Sequence, residues 1–264
     1  MSLWSGMDAT GEALKSEAAA VHIVGTGDDL ARAAAEECVR LALEAVEARG
    51  RFSIALAGGS TPKRLYSLLS TEQEGSYRAR FPWEKTYFFW GDERQVRPDH
   101  ADSNYRMAFE TMLSKVPVSP SQLHRIEGEN ADASKAAADY EQVLLRHFHL
   151  NRGTWPQLDL ALLGLGADGH TASLFPDTDV LDETERLAAA VWVPKLQASR
   201  ITLTAPLLNH AAHIVFLVSG KDKAEALRAV LRGEFQPRRF PAQLIRPVQG
   251  RLEWLADRNA ASLL

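Results

Sequence analysis

The segment LDLALLGLGADGHTASLFPDT, residues 158–178, restricts the fold of this chain more than any other stretch. Residues 158–163 have the length and aliphatic content of a strand buried on both faces, the kind found in parallel sheets covered by helices. Gly164, Gly166 and Gly169 follow at once and let the backbone turn sharply. The turn presents Asp168 and His170 together and stops at Pro176. In α/β sheets ligands bind beyond the carboxyl ends of the strands, so a titratable pair displayed there points to chemistry rather than packing.

The rest of the chain supplies a sheet for that strand to join. Residues 21–24 read as a short strand, with Asp28 or Asp29 capping the helix that follows. Leu30, Ala34, Cys38, Leu41 and Ala45 recur at spacings of three and four, one buried helical stripe, and Gly50 ends it. Strands are expected over 52–57 and 86–90. Ser103 caps a helix over 104–115, a short strand covers 123–126, and an amphipathic helix covers 131–150. Beyond the glycine turn come strands near 188–193, 200–204 and 214–218, a helix over 222–231 and a last strand over 251–254. Strands alternating with helices at this rhythm indicate βαβ units, an α/β protein with a mainly parallel sheet flanked by helices. A small additional subdomain fits as well. The expected organisation is a disordered segment over 1–20 and one domain over 21–264, with the loop 233–241, carrying Arg238 and Arg239, as its mobile segment.

Charge and cysteine content narrow the function. The formal net charge of −4 argues against general nucleic-acid binding, which needs a basic face to neutralise phosphates. A few converging Arg and Lys still suffice for a small anionic substrate. The single cysteine, Cys38, rules out an internal disulfide framework and fits a reducing compartment. It reads as a small core residue. No apolar run reaches 18 residues, so no membrane span is expected. The first 20 residues lack the basic start and apolar core of a secretory signal, which leaves a cytoplasmic location.

Three constellations lie at expected strand ends. Gly58-Gly59-Ser60-Thr61, with Pro62 suited to a first helical position, combines close backbone approach, free helix-start N–H groups and two hydroxyls. It suits a phosphate better than it suits a mere tight turn, yet lacks the Lys-Ser/Thr ending of a nucleotide P-loop. Gly91-Asp92-Glu93-Arg94 reads locally as well as a solvated turn. The strand before it aims it at the same edge, where Arg94 would stabilise negative charge and Asp92 would position a water or sugar hydroxyl. In the third, His170 is the general-base candidate and a nearby carboxylate orients it. Gly164, Gly166 and Gly169 also satisfy G-x-G-x-x-G. Asp168 would repel a pyrophosphate there, and Pro176 leaves no room for the helix a dinucleotide needs. Arg200, Lys221 and Lys223 stand at other loop edges. His147 and His149 face different ways on one helix, and His210 and His213 lack a completing Cys or carboxylate, so no metal is expected.

With these motifs in view, the chain closely resembles the 6-phosphogluconolactonase family. The resemblance rests on LAGGSTPKRLY (56–66), WGDERQV with the later DSNYRM (90–107), LGLGADGHTASLFPDT (163–178), RITLTAPLLN (200–209), SGKDKAEAL (219–227) and the tail PAQLIRP…LEWLAD (241–257). It covers roughly residues 21 to 260, in order and without large gaps. It implies a Rossmann-like sheet of the glucosamine-6-phosphate deaminase type and hydrolysis of 6-phospho-D-glucono-1,5-lactone to 6-phospho-D-gluconate, with no metal or organic cofactor. It also implies His170 as the base that activates water, with Asp168 or Asp92 holding the imidazole. Arg94 would stabilise charge. Gly58, Gly59, Ser60, Thr61, Arg200 and Lys223 would hold the 6-phosphate, with Lys221 a more distant neighbour. The partner is a small sugar phosphate, not nucleic acid or membrane, and the assembly a monomer or small homo-oligomer. Two rivals remain. One is glucosamine-6-phosphate deaminase, whose turn continues Asn-Glu-Pro where this chain has Leu174-Phe175-Pro176. The other is a sugar-phosphate sensor, which usually accompanies a basic DNA-binding segment.

Overall fold

The computed structural model describes residues 20–71 and 76–264. The disorder expected over 1–20 lies outside the described residues, save for Ala20, which opens the first strand. In chain order the elements are β1 (Ala20–Val24), α1 (Gly27–Arg49), β2 (Phe52–Leu56), α2 (Ser60–Ser70), α3 (Ser76–Arg80), β3 (Thr86–Trp90), β4 (Asp92–Arg94), α4 (Asn104–Thr111), β5 (Leu123–His124) and α5 (Ala133–Phe148). There follow β6 (Leu160–Gly164), β7 (Ala188–Val193), β8 (Ala198–Leu203), α6 (Ala205–Asn209), β9 (His213–Val218), α7 (Ala224–Arg232) and β10 (Arg251–Asp257).

Seven strands form one wholly parallel sheet in the order β1-β10-β9-β6-β2-β3-β5. Its central strands carry no polar face. All five residues of β2 are buried, and so are the first four of β6. Burying one such aliphatic or aromatic side chain contributes roughly 1.5–3 kcal/mol, so these strands anchor the sheet. The α1 stripe Leu30, Ala34, Cys38, Leu41 and Ala45 is at most 3% exposed, and burial pushes the Cys38 thiol up to about 12. Phe216 and Trp254 stack across β9 and β10 with centroids 3.8 Å apart.

The remaining strands stand apart from that sheet, and of them only β4, read locally as a turn, was not expected as a strand. β4, β8 and β7 form a separate antiparallel sheet, with Arg94 opposite Arg200 in its register. The reason is connection length. Only four residues join β7 to β8, with Pro194–Leu196 in a 3₁₀ turn and Gln197 at φ 46°, whereas a parallel crossover needs a dozen or more. Gly91 is the switch between the sheets. Its N–H donates to Leu56 O in the parallel sheet, and its carbonyl accepts from Leu203 N in the other.

Element ends also needed tertiary information. Thr26, not Asp28 or Asp29, caps α1, and Asp29 answers from the third position by accepting from Thr26 N at 2.9 Å. The helix α2 starts at Ser60, so Pro62 is its third residue rather than its first. The fourth helix stops at Thr111, before a 3₁₀ turn over Leu113–Lys115. The loop 233–241, expected to be mobile, is tied down. Ala242 N donates to Gly169 O, Asp177 N donates to Arg238 O, and Arg238 pairs with Asp182 at 2.8 Å.

Candidate active site

Four neighbouring strands of the parallel sheet deliver their carboxyl ends to one cavity of about 220 Å³. The segment after β2 brings Gly58, Gly59, Ser60 and Thr61, and the one after β3 brings Asp92 and Arg94. From the end of β6 come Gly164, Gly166, His170 and Ala172, and from the end of β9 come Ser219 and Lys223. This volume suits one small molecule rather than a dinucleotide. No helix follows Gly164, Gly166 and Gly169, so the fingerprint spacing there has no helix start to offer a pyrophosphate.

The wall formed by Gly58 to Thr61 is the start of an eleven-residue helix whose first N–H groups have no intrahelical partners. Gly59 takes φ 104°, which a side chain would strain. Gly58 is small for another reason. A Cβ on it would stand 2.1 Å from Asn104 Oδ1. The amide of Asn104 donates to Asp92 O at 2.9 Å and to Asp92 Oδ1 at 3.2 Å. The Ser173 hydroxyl donates to Asp92 Oδ2 at 2.6 Å. Asp92 is thus held from both sides with its backbone in β4.

Side chains on β4 alternate between faces. Asp92 and Arg94 face the cavity, while Glu93 turns away and takes the start of α4. Its carboxylate accepts from Asn104 N and Tyr105 N at 2.8 Å and from the Ser103 hydroxyl at 3.1 Å. Burial pushes the Glu93 carboxyl up, and these donors oppose it. The acidic pair is therefore split between cavity and scaffold. Arg94 donates to Asp102 O at 2.6 Å, and its buried Nε has no hydrogen-bond partner among the described residues. Arg200 does not line the cavity. It stands beside Arg94 across the ladder, half-buried, with burial and that neighbouring cation pushing its pKa down.

His170 sits in a turn closed by Gly166 N to His170 O at 2.8 Å and Gly169 N to Gly166 O at 2.9 Å. Its ring stacks on Phe175 at 4.1 Å. Burial holds the imidazole down to about 4. Lys223, Arg94 and Arg200 act in the same sense, and Asp92 acts against them. Nδ1 meets Asp168 Oδ1. A carboxylate can only accept, so the neutral ring carries its proton on Nδ1 and keeps Nε2 as the free base. This answers which carboxylate touches the ring: Asp168, not Asp92. Asp168 lies behind the ring rather than in the cavity, paired with Lys195 from the β7–β8 hairpin. Ala172 and Asp177, neither of them glycine, take φ 46° and 56° just beyond. Such positions cost about 1–3 kcal/mol each and gather at functional sites.

Sequence reasoning missed Asn104, Ser173, Ser219 and Lys195. Asn104 and Ser173 lie inside the blocks DSNYRM and HTASLF, so their motif was visible but their role was not. Lys221 is exposed and does not line the cavity. Among the described residues, no group of three or more His, Cys, Asp and Glu stands where it would hold a metal ion.

Fold and cavity together define the class, an α/β enzyme with its pocket at the carboxyl ends of a parallel sheet. The family model for glucosamine-6-phosphate isomerases/6-phosphogluconolactonase matches residues 25–254, and the chain belongs to that family. The 6-phosphogluconolactonase of Synechocystis sp. is 43% identical over 221 residues, covering 84% of this chain and 88% of that protein. The structure of 6-phosphogluconolactonase from Trypanosoma cruzi superposes with a TM-score of 0.82 at 29% identity, covering 96% of this chain and 99% of the other. A monomeric glucosamine-6-phosphate deaminase shares the fold at a TM-score of 0.76 and 22% identity, covering 93% of this chain and 100% of the other.

Proposed function

We propose that this chain hydrolyses 6-phospho-D-glucono-1,5-lactone to 6-phospho-D-gluconate with His170 as general base. One observation carries the reading. An imidazole kept neutral by burial lines the same small cavity as the glycine helix start and Lys223. The 6-phosphate lies against the N–H groups and hydroxyls at Gly58, Gly59, Ser60 and Thr61, where a helix start favours an anion. Lys223 closes on it, and Arg200 adds positive field from behind Arg94. The lactone carbonyl then faces His170. Nε2 takes a proton from water as the water oxygen bonds to C1, and Arg94 stabilises the oxyanion that forms. The carbonyl re-forms as the bond from C1 to the ring oxygen breaks, and the imidazolium returns its proton to that oxygen. Asp92, fixed by Asn104 and Ser173, is placed to align the water or a sugar hydroxyl.

The deaminase alternative is weaker at one residue. Phe175 puts an aromatic face against His170 where the deaminase motif has glutamate. The discriminating experiment is a coupled assay on freshly generated lactone, with and without chelator, beside ammonia release from glucosamine 6-phosphate. Chelator-resistant lactone hydrolysis above the spontaneous rate is expected, with no ammonia. Ammonia without lactone turnover sinks the proposal. The proposal includes a cytoplasmic, metal-independent enzyme, monomeric or a small homo-oligomer, that binds no nucleic acid. In support, the one cysteine is buried, and among the described residues no helix is long and apolar enough to cross a membrane.

Two further outcomes follow from the same geometry. A base works only when unprotonated, so a depressed pKa extends its working range downward. In the free protein, the His170 ring signals are expected to titrate near pH 4 by NMR, with turnover flat from neutral pH to about pH 5 and lost below. A midpoint at or above the ordinary histidine value contradicts this. Lys223→Ala removes a charged phosphate contact, worth roughly 1.5–3 kcal/mol, so KM should rise about 10- to 100-fold with kcat largely kept. An unchanged KM moves the phosphate elsewhere.

A further inference from the structure

We infer that Lys195 is a positioning residue that locks Asp168 and Phe175 against the His170 ring from the second sheet. Asp168 uses one oxygen, Oδ1, on His170, meeting Nδ1 and accepting from the backbone N–H at 3.3 Å. Its other oxygen, Oδ2, is buried and, among the described residues, pairs only with the Lys195 ammonium. The same ammonium lies 4.9 Å from the centre of the Phe175 ring, a buried core residue that also stacks on the imidazole. One cation therefore touches both groups that fix the imidazole, the carboxylate at its edge and the aromatic plate on its face.

Lys195 does not line the cavity, and neither do Asp168 and Phe175, so the lysine acts through His170 rather than on substrate. A half-exposed lysine pair normally contributes little. This one differs because a buried carboxylate oxygen depends on it, and losing such a partner leaves that oxygen unpaired. The hairpin that carries Lys195 has an exposed but tight turn. Pro194 begins its turn, Gln197 closes it, and β7 packs on α5. With the cation gone, Asp168 is free to turn away from Nδ1, and the ring loses its tautomer and its aim.

This inference rests on His170 being the base. The test is Lys195→Met, which keeps an apolar stem over Phe175 but no charge, with Lys195→Gln and Lys195→Arg beside it. The Met and Gln variants are expected to lose about tenfold in kcat, less than the ~10²-fold that a 1 Å misplacement can cost, with KM within about twofold. Their His170 titration midpoint should shift, because the cation is removed and Asp168 is released from Nδ1. The other charges facing that ring are Asp92 and Arg94 from β4, Arg200 from β8 and Lys223 before α7, which stay in place, and Asp168 in its own turn, the group these variants release. Arg should restore both readouts. Unchanged kcat and midpoint in folded Met and Gln variants overturn the inference. So does a kcat loss with no midpoint shift and no rescue by Arg, the mark of a merely structural residue. If His170→Ala stays active, the base reading itself fails. If His170→Ala is dead and the Lys195 variants are normal, only the role of Lys195 falls.

Discussion

His170→Ala is expected to lose ~10²–10⁴ in kcat with KM little changed, the range that a positioned general base contributes. This corresponds to roughly 3–5 kcal/mol of transition-state stabilisation. The split between constants follows from where the parts sit. In the proposed function the glycine helix start and Lys223 hold the phosphate through groups other than the imidazole, so ground-state binding should survive. Proton removal from water is made only in the transition state and disappears with the ring. The fold should survive as well. The turn around His170 is closed by backbone bonds from Gly166 and Gly169, which alanine retains. The measurement is steady-state kinetics on fresh lactone with spontaneous hydrolysis subtracted, beside a thermal melt. A folded variant with near-normal kcat removes the proposed base.

The sheet and the site were legible in the sequence to different depths. The parallel sheet was legible because its strands are apolar runs separated by amphipathic helices, and β3 was expected at the residues it occupies, 86–90. The second sheet was hidden in part. Asp92-Glu93-Arg94 has no intrinsic preference for a strand and becomes one only by pairing with β8. That pairing also sets Arg200 beside Arg94, a juxtaposition no spacing encodes. Local signals sufficed for residues that a single turn brings to the cavity, Gly58 to Thr61 and His170. They failed for Asn104, Ser173 and Lys195, each of which reaches its partner from a distant element. The loop 233–241 misled for the same reason. Its Gly, Pro and Arg content suggests motion, yet Phe240 packs against Gly169, where a Cβ would meet Phe240 Cδ1 at 2.8 Å. Family resemblance contributed what residue patterns alone could not, the identity of the substrate.

Gly166→Ala should cost on the order of 10² in kcat, although alanine is the smallest change a glycine can undergo. A Cβ at Gly166 would stand 2.0 Å from His170 Nδ1 and 2.6 Å from Asp168 Oδ1, while ordinary contact begins near 3.4 Å. The backbone does not object, since Gly166 is not among the residues with positive φ. The whole penalty falls on the paired imidazole and carboxylate. The ring cannot give way freely, with Phe175 on its face and Asp168 held from behind by Lys195, so it must shift by about 1 Å or more. A misplacement of that size can cost 10²-fold. The atoms the new methyl group would meet belong to His170 and Asp168, not to the proposed phosphate contacts, so KM should stay within a few-fold. The Nδ1–H resonance of His170 should move or broaden as its bond to Asp168 is disturbed. If kcat stays within twofold and that resonance is unmoved, the imidazole is not confined as described. The middle glycine of the misleading G-x-G-x-x-G spacing then has its physical explanation. It is small so that a histidine and a carboxylate can meet above it, not so that a pyrophosphate can approach.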